Sequence, residues 1–454
     1  MKWIRHSTLV LTAIFFFLGF RPLYAQEELT DTGIKNKIQE IEEMVVEETT
    51  GAPGYIPAPS QTTIELDKID FIGPPNSVLD AFKTQAMVDF RGASSLDPGV
   101  DSVYLNGFSS KRFVTAMDGV TIQKTGGRKS SNIVDWAQLP GFLLESIEIL
   151  PGPHCAVYDA KSIGGVLNLK TKAPCFHDSR VPELTLTSSY SSYNTVSNTA
   201  VIQGGVDKFT YDLAYQSYMT DGYLRHNDTE SNTGYARLGL VLPGDGFITV
   251  SGSVSDINRD AAVKNPGSTQ SGETDMDNDY PEVTGSIWNP WQEPTWDSES
   301  QSYRLAYAQS LGIGRINATA YYGEDTRDRA YLDWISSSEP TQGTYLTSME
   351  TDWWQRGGKI TDEIKWADNQ TTTLGCDLTQ LYDEAVDDSK TERVRKKGAF
   401  LQHKWGIIEN VETTLGLRYE DVNTWVSNWS NGKAHNTAYD KYVERRFDQF
   451  IPKS

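Results

Sequence analysis

Phe209-Thr-Tyr-Asp-Leu-Ala-Tyr-Gln216 decides the fold, because Phe209, Tyr211, Leu213 and Tyr215 are interleaved with Thr210, Asp212, Ala214 and Gln216. A period of two puts one set on each face of a strand. The same alternation recurs at Ala236/Leu238/Leu240/Leu242, Ile248/Val250/Val254, Tyr303/Leu305/Tyr307, Ile316/Ala318/Ala320/Tyr322, Ile360/Ile364/Trp366 and Val411/Thr413/Leu415/Leu417/Tyr419. Each run is close to the ~9–11 residues of a tilted membrane strand.

The connections alternate between tight and long. Tight ones fall at Val206-Asp207, Pro243-Gly-Asp-Gly246, Leu311-Gly-Ile-Gly314, Ala367-Asp-Asn-Gln370 and Ile407-Ile-Glu-Asn410, and long polar stretches at 218–233, 255–300, 324–356, 383–397 and 423–441. Short turns on one rim and long loops on the other are the layout of a transmembrane β-barrel, the short side being periplasmic. A soluble sandwich has no reason to gather every long loop at one end. The spacing predicts about 12 antiparallel strands between 182 and 454.

Composition agrees with this reading. A mean hydropathy of −0.47 hides barrel strands well, since lipid-facing and lumen-facing residues cancel in any average. The 22 Tyr and 12 Trp suffice for an interfacial girdle, although secreted all-β binding proteins share that enrichment. A net charge of −20 argues against a nucleic-acid partner, which needs a concentrated basic surface. The six His show no metal-ligand spacing, and no nucleophile elbow or phosphate loop is present, so no catalytic residue and no cofactor are expected.

Upstream, Lys2 and Arg5, the apolar run Leu9 to Phe20 and small Ala25 lay out a signal peptide over 1–25. An uncleaved anchor is the competing reading, but the run falls short of the ~20 residues of a spanning helix. Residues 26–61 form an acidic tail ending in the Pro/Gly linker Gly51 to Ser60. A compact α+β segment over 62–174 follows, with short strands at Ser102–Leu105 and Ser146–Leu150. Of three cysteines, Cys155 and Cys175 are the nearer pair, and a disulfide and isolated buried thiols both fit an exported chain.

Leu143-Leu-Glu-Ser-Ile-Glu-Ile-Leu-Pro-Gly-Pro-His-Cys-Ala-Val-Tyr-Asp-Ala-Lys-Ser-Ile-Gly-Gly-Val-Leu-Asn-Leu-Lys-Thr-Lys172 closely resembles the end of the plug domain in TonB-dependent outer-membrane receptors. Tyr104-Leu-Asn-Gly-Phe108 and Ala116-Met-Asp-Gly-Val120 resemble the paired strand and hairpin of the same plug. So do Lys397 to Trp405 and Thr414-Leu-Gly-Leu-Arg-Tyr419 resemble strands from the middle of the barrel. The chain departs from the family pattern at Asn106, where arginine is usual, at Pro151, where a basic residue is common, and at Asp159, where glycine is common. Contacts between plug and barrel are therefore expected to differ locally.

The resemblance implies an α+β plug (62–174) followed by an antiparallel transmembrane β-barrel (182–454) in the outer membrane of a Gram-negative bacterium. Family barrels close with 22 strands, so about half of a barrel is expected here, and an interrupted or fragmentary receptor is the corresponding expectation. An open sheet in lipid leaves unpaired edge groups. The function implied is active import of a ferric siderophore or similar iron complex, driven through TonB. Glu42-Glu-Met-Val-Val-Glu47 resembles the box offered to TonB, with Glu43, Met44, Val45, Val46 and Glu47 as the binding residues; a Val-rich extended segment can add as a strand to a sheet edge. An acidic amphipathic helix from Lys35 to Val46 is the other reading of those residues.

Ligand-binding candidates are Phe108, Lys111 and Arg112 in the plug, where cations meet an anionic chelate, and Trp288, Trp291, Tyr331, Trp334 and Trp353 in the loops, whose flat faces suit an aromatic or macrocyclic chelate. An interfacial belt or loop self-packing explains the same aromatics. Asp275, Asp277 and Asp279 offer hard oxygens to Ca²⁺, as acidic loops do in some cobalamin-transporting relatives, yet the segment lacks the Gly and Glu of an EF-hand. A solvated acidic loop is the plainer reading. Partners implied are TonB, the small-molecule chelate and outer-membrane lipid. The residues ahead of Glu42 are too few for the extra folded domain of a signalling receptor.

Overall fold

The computed structural model describes residues 62–66, 87–91, 102–122, 134–139, 141–152, 156–159, 161–172, 181–265, 276–284, 288–333, 345–367, 369–385, 390–408, 411–427 and 442–453. The signal peptide, the TonB-box segment 42–47, Cys155, Cys175, Trp334 and Asp275 lie outside them. Among the described residues no helix is long and apolar enough to cross a membrane.

The N-terminal part holds β1 (Thr62–Glu65), β2 (Val88–Arg91), β3 (Ser102–Leu105), β4 (Phe108–Ser109), β5 (Val114–Met117), β6 (Val120–Thr121), β7 (Leu144–Pro151) and β8 (Gly165–Thr171). They form a sheet of order β1-β7-β8-β5-β6 and a small one of order β2-β3-β4. Central β8 runs antiparallel to β7 and parallel to β5, and all seven of its residues are buried, so both faces need partners. On one face Leu167 and Leu169 pack with Ile147, Ile149, Leu105 and Phe113. Val166 packs with Val114, Leu150, Tyr158 and Phe400, and Phe400 belongs to the large sheet. The polar residues of β8 are satisfied internally: Asn168 donates from Nδ2 to Glu148 Oε2 at 2.9 Å and accepts through Oδ1 from the Gly119 amide at 2.9 Å, while Lys170 pairs with Glu148. Burial pushes the Glu148 carboxyl up and the Lys170 ammonium down from their ordinary values.

Among the described residues the C-terminal part is one meander of twelve strands: β9 (Glu183–Ser191), β10 (Thr195–Val206), β11 (Phe209–Thr220), β12 (Thr229–Leu242), β13 (Gly246–Arg259), β14 (Thr295–Leu311), β15 (Gly314–Asp333), β16 (Tyr345–Ala367), β17 (Gln370–Ala385), β18 (Lys390–Ile408), β19 (Val411–Ser427) and β20 (Tyr442–Lys453). Each pairs with its sequence neighbours, and β9 and β20 do not pair with each other. The strand count agrees with the expectation from turn spacing. All five tight turns fall on one rim, where Asp207, Gly244, Asp245 and Gly312 adopt the positive φ that short turns demand.

Two expectations need correction. Strands reach 20 residues in β15 and 23 in β16, about twice the length of a membrane crossing, so much of what reads as long loop is paired sheet beyond the lipid. The alternation is lost there because outward positions such as Glu324, Thr326 and Asp328 face water rather than lipid. The long-loop rim also carries one tight turn, residues 192–194 between β9 and β10, where Tyr193 and Asn194 take φ of 60° and 50°.

The outward positions between the rims carry Leu186, Ile202, Leu213, Val250, Leu305, Ile360, Leu401 and Leu417, each at least 38 % exposed. Many inward positions are polar or charged, among them Arg237, Arg259, Arg418 and Glu420, with Phe247, Ile257 and Phe400 as apolar exceptions, and this face receives the N-terminal sheets. A lipid-facing band around a polar interior is the surface a membrane barrel requires.

Candidate functional site

Three stretches of the N-terminal part are stitched to the inner face of the large sheet, each through a buried polar contact. Asp135 accepts a forked pair from Arg259 of β13, Nη1 to Oδ1 at 3.3 Å and Nη2 to Oδ2 at 2.9 Å, and Ser298 of β14 takes a further bond from Arg259. Both side chains of this pair are essentially inaccessible to solvent. Asp118, in the β5–β6 turn, receives Arg304 of β14 on its carboxylate and on its carbonyl, and it also accepts from Thr171. Beside it, Gln355 of β16 donates to the Thr121 carbonyl at 2.6 Å.

The third stretch, 156–161, lies against β16 to β19. Asp159 pairs with Lys396 at 2.9 Å, the Ala156 amide donates to Gln402 Oε1 at 3.2 Å, and Lys359 donates to the Val157 carbonyl while resting over the rings of Tyr158 and Phe400. Beneath them Arg418, fully buried, forks onto Asp377 at 2.8 and 2.9 Å, bonds Glu420 at 2.9 Å and reaches the Ala156 carbonyl. A cleft opens between this stretch and the strands, lined by Lys161, Lys359, Lys396 and Arg418 facing Asp159 and Asp377. Burial, and then the neighbouring Lys396 charge, push the Lys161 ammonium down to about 8. Burial alone would raise the Asp159 carboxyl, but Lys396 and Lys161 together hold it below its ordinary value.

Such an interface is tight yet exchangeable. The ion pairs and hydrogen bonds at Asp118, Asp135 and Asp159 join groups that would find water on separation, and they stand beside a small apolar contact of Phe400 with Tyr158 and Val166. The geometry therefore suits a body that is seated in a channel and can be unseated. Sequence spacing gave no access to these pairs, whose members lie up to 262 residues apart. One signal was readable: Arg418, between Leu417 and Tyr419, occupies an inward phase of its strand.

The aromatic candidates divide. Trp288 and Tyr331 stand at 4.8 Å between centroids, and Arg329 lies over Trp288 at 4.6 Å and over Trp296 at 5.2 Å. Trp291 is half-buried in the short turn Pro290–Gln292. Trp353 shares the inner face with Gln355, while adjacent Trp354 turns outward and stacks on Tyr382. Phe108, Lys111 and Arg112 are exposed in the β4 turn, and no ring contact or hydrogen bond joins them to Trp288 or Tyr331 among the described residues. Asn265 organises the acidic loop, donating to the carbonyls of Asp277, Tyr280 and Pro281 and accepting from the Asp277 amide. Asp277 in turn accepts from the Asp279 amide at 3.0 Å, and no group of three carboxylate, imidazole or thiolate ligands converges among the described residues.

Residues 57–166 match the TonB-dependent Receptor Plug Domain family. The chain is 28% identical over 153 residues to the "Vitamin B12 transporter BtuB" of Vibrio vulnificus (strain YJ016), a match covering 33% of this chain and 22% of that protein. Its fold resembles that of the ferric citrate transporter FecA in the unliganded form, with a TM-score of 0.64 at 15% identity, covering 90% of this chain and 60% of that one. It resembles the copper transporter OprC to the same TM-score at 14% identity, covering 89% and 60%. The chain thus spans about 60% of the length of these solved structures.

Proposed function

From a TonB-dependent receptor plug, seated on the inner face of part of the matching outer-membrane barrel, we propose active import of a ferric siderophore or similar iron complex across that membrane, powered through TonB. The observation that carries this reading is the polar seating of the plug at Asp118, Asp135 and Asp159. A channel filled this way passes nothing until work is done on the filling. Ligand would bind on the long-loop side, the plug would shift, and TonB would engage residues Glu43 to Glu47 and pull. Transport of this kind needs no catalytic group.

A second ligand reading, cobalamin, rests on the sequence match to a vitamin B12 transporter. The two ligand classes are separated by a growth-rescue panel of ferric chelates and cobalamin, using a strain that expresses the intact locus. Coupling is tested independently with a cysteine in place of Val45. Cross-linking to TonB that rises when the rescuing ligand is added supports the proposal; cross-linking that ignores every ligand, or rescue that persists without TonB, would overturn it.

A further inference from the structure

The outward face of β16 to β18 carries a feature that lumen transport does not use. Arg356, Gln380 and Arg395 stand side by side in register across the three strands, which places the two arginine Cα atoms roughly 10 Å apart. Lys397 and Arg393 flank Arg395 on the same face of β18, and all four cations are exposed. Arg395 and Lys397 engage no carboxylate among the described residues. The carboxylate opposite Lys397, Asp421, is held by Arg446 at 3.0 and 3.1 Å. Glu384, the outward acid of β17, is bonded by Tyr382.

Two of the cations are held in place by a ladder of rings. Arg356 lies over Trp354 at 5.0 Å, Trp354 stacks on Tyr382 at 5.4 Å and 14°, and Arg393 lies over Tyr382 at 5.3 Å. Arg356 Nε also donates to Gln380 Oε1 at 2.8 Å. Stacked arginines of this kind are fixed in direction before any ligand arrives.

Height on the barrel identifies the ligand. Arg356 lies ten residues along its strand from Trp366, and Arg395 ten from Trp405, both tryptophans being exposed near the tight-turn rim. Ten residues of strand tilted by about 45° rise roughly 23 Å, close to the ~25 Å of a barrel's apolar band. Ile360, Leu374, Leu378 and Leu401 fill the interval, each exposed. The cations therefore sit at the upper edge of the lipid, at the level of the outer-leaflet headgroups, with aromatic residues at the depth where such rings anchor. The feature is local: the outward positions of β12 to β14 near that height carry Glu230, Asp256 and Glu299 instead.

We propose that the outward face of β16 to β18 binds the phosphorylated headgroup of an outer-leaflet lipid, with Arg356, Arg393, Arg395 and Lys397 on the phosphates and Leu378 and Leu401 against the acyl chains. Each Lys or Arg at a membrane surface adds appreciable attraction for an anionic headgroup, and guanidiniums match phosphate in forked geometry. The assignment holds whichever ligand the lumen carries.

The test uses the full chain in phosphatidylcholine nanodiscs doped with outer-leaflet glycolipid, either phosphorylated or enzymatically dephosphorylated, counting bound glycolipid after purification. The wild-type chain should retain the phosphorylated form, and R356Q/R395Q/K397Q should retain about tenfold less or lower, while R356K/R395K keeps most of it. Should the triple variant lose its β-sheet circular dichroism, R395Q and K397Q are read singly, each with a loss of about threefold or more. Equal retention by the Gln variants, or equal retention of dephosphorylated lipid, overturns the proposal. So does full displacement by millimolar inorganic phosphate, which would mark a free-anion site instead.

Discussion

Lys396 of β18 and Asp159 of the plug meet at 2.9 Å across 237 residues of sequence, and both side chains are at most 16% exposed. Removing one partner of such a pair strands the other charge away from water, which costs on the order of 3 kcal/mol. Asp159→Asn should therefore loosen the plug segment 156–171, and the second change Lys396→Met should restore much of the loss. Hydrogen exchange of the β8 amides reads both steps. An additive double variant would show that the two residues act separately.

Lys161 gives the interface a pH response. Its ordinary value of 10.5 is pushed down to about 8, first by burial and then by Lys396. Between about pH 8 and 10.5 the folded plug therefore holds fewer protons than the unfolded chain, so stability rises with pH through that window. Below about 8 both states are protonated and the cost of burying the charge is fully present. The urea midpoint of plug unfolding should correspond to a gain on the order of 1 kcal/mol between pH 7.5 and 9.5, discounted for partial solvent contact. In Lys161→Met that slope should fall to the part left by Lys170, whose ammonium burial also pushes down; an unchanged slope would assign the response to another group.

What was legible in the chain follows the range of the physics. Tight turns announce themselves locally through residues such as Asp207, Gly244 and Gly312, and the strand count followed from them. Strand ends did not, because the two-residue period marks only the stretch where lipid faces water across the sheet; beyond it, Glu324 and Asp328 continue β15 with no apolar partner phase. Trp353 and its neighbour Trp354 look alike in sequence, yet adjacent residues of a strand part to opposite faces, so only Trp353 turns inward. Asp159 stood out as a departure from the family pattern, but its partner Lys396 could come only from the folded chain.

Gly164 and Gly165 are required for different reasons. Gly165 has φ +125°, and a Cβ there would run into the Leu150 carbonyl, which is backbone and cannot yield. At Gly164 a Cβ would stand 2.7 Å from the Cβ of Phe108, in an exposed turn that can shift. Gly165→Ala should therefore destabilise the plug by more than about 3 kcal/mol, and Gly164→Ala by about 1–2 kcal/mol. Limited proteolysis should cut the plug of Gly165→Ala while the strands of the large sheet stay protected. The reverse order of severity would contradict the steric account.

Trp288 and Trp296 share Arg329 but differ in exposure. Trp296 is 7% exposed on β14, so Trp296→Ala should empty a packed site and cost about 3–5 kcal/mol. Trp288 is half-buried, on the long-loop side, with its ring against both Tyr331 and the Arg329 guanidinium. If that ring serves ligand, Trp288→Ala should weaken binding of the rescuing chelate about tenfold, in line with the worth of a desolvated aromatic contact, while the thermal midpoint moves little. Tryptophan quenching by the chelate reads the first quantity and a melting curve the second. A Trp288→Ala chain that melts early yet binds normally would mean the rings only pack the loop, and ligand recognition would then have to be sought at Phe108, Lys111 and Arg112.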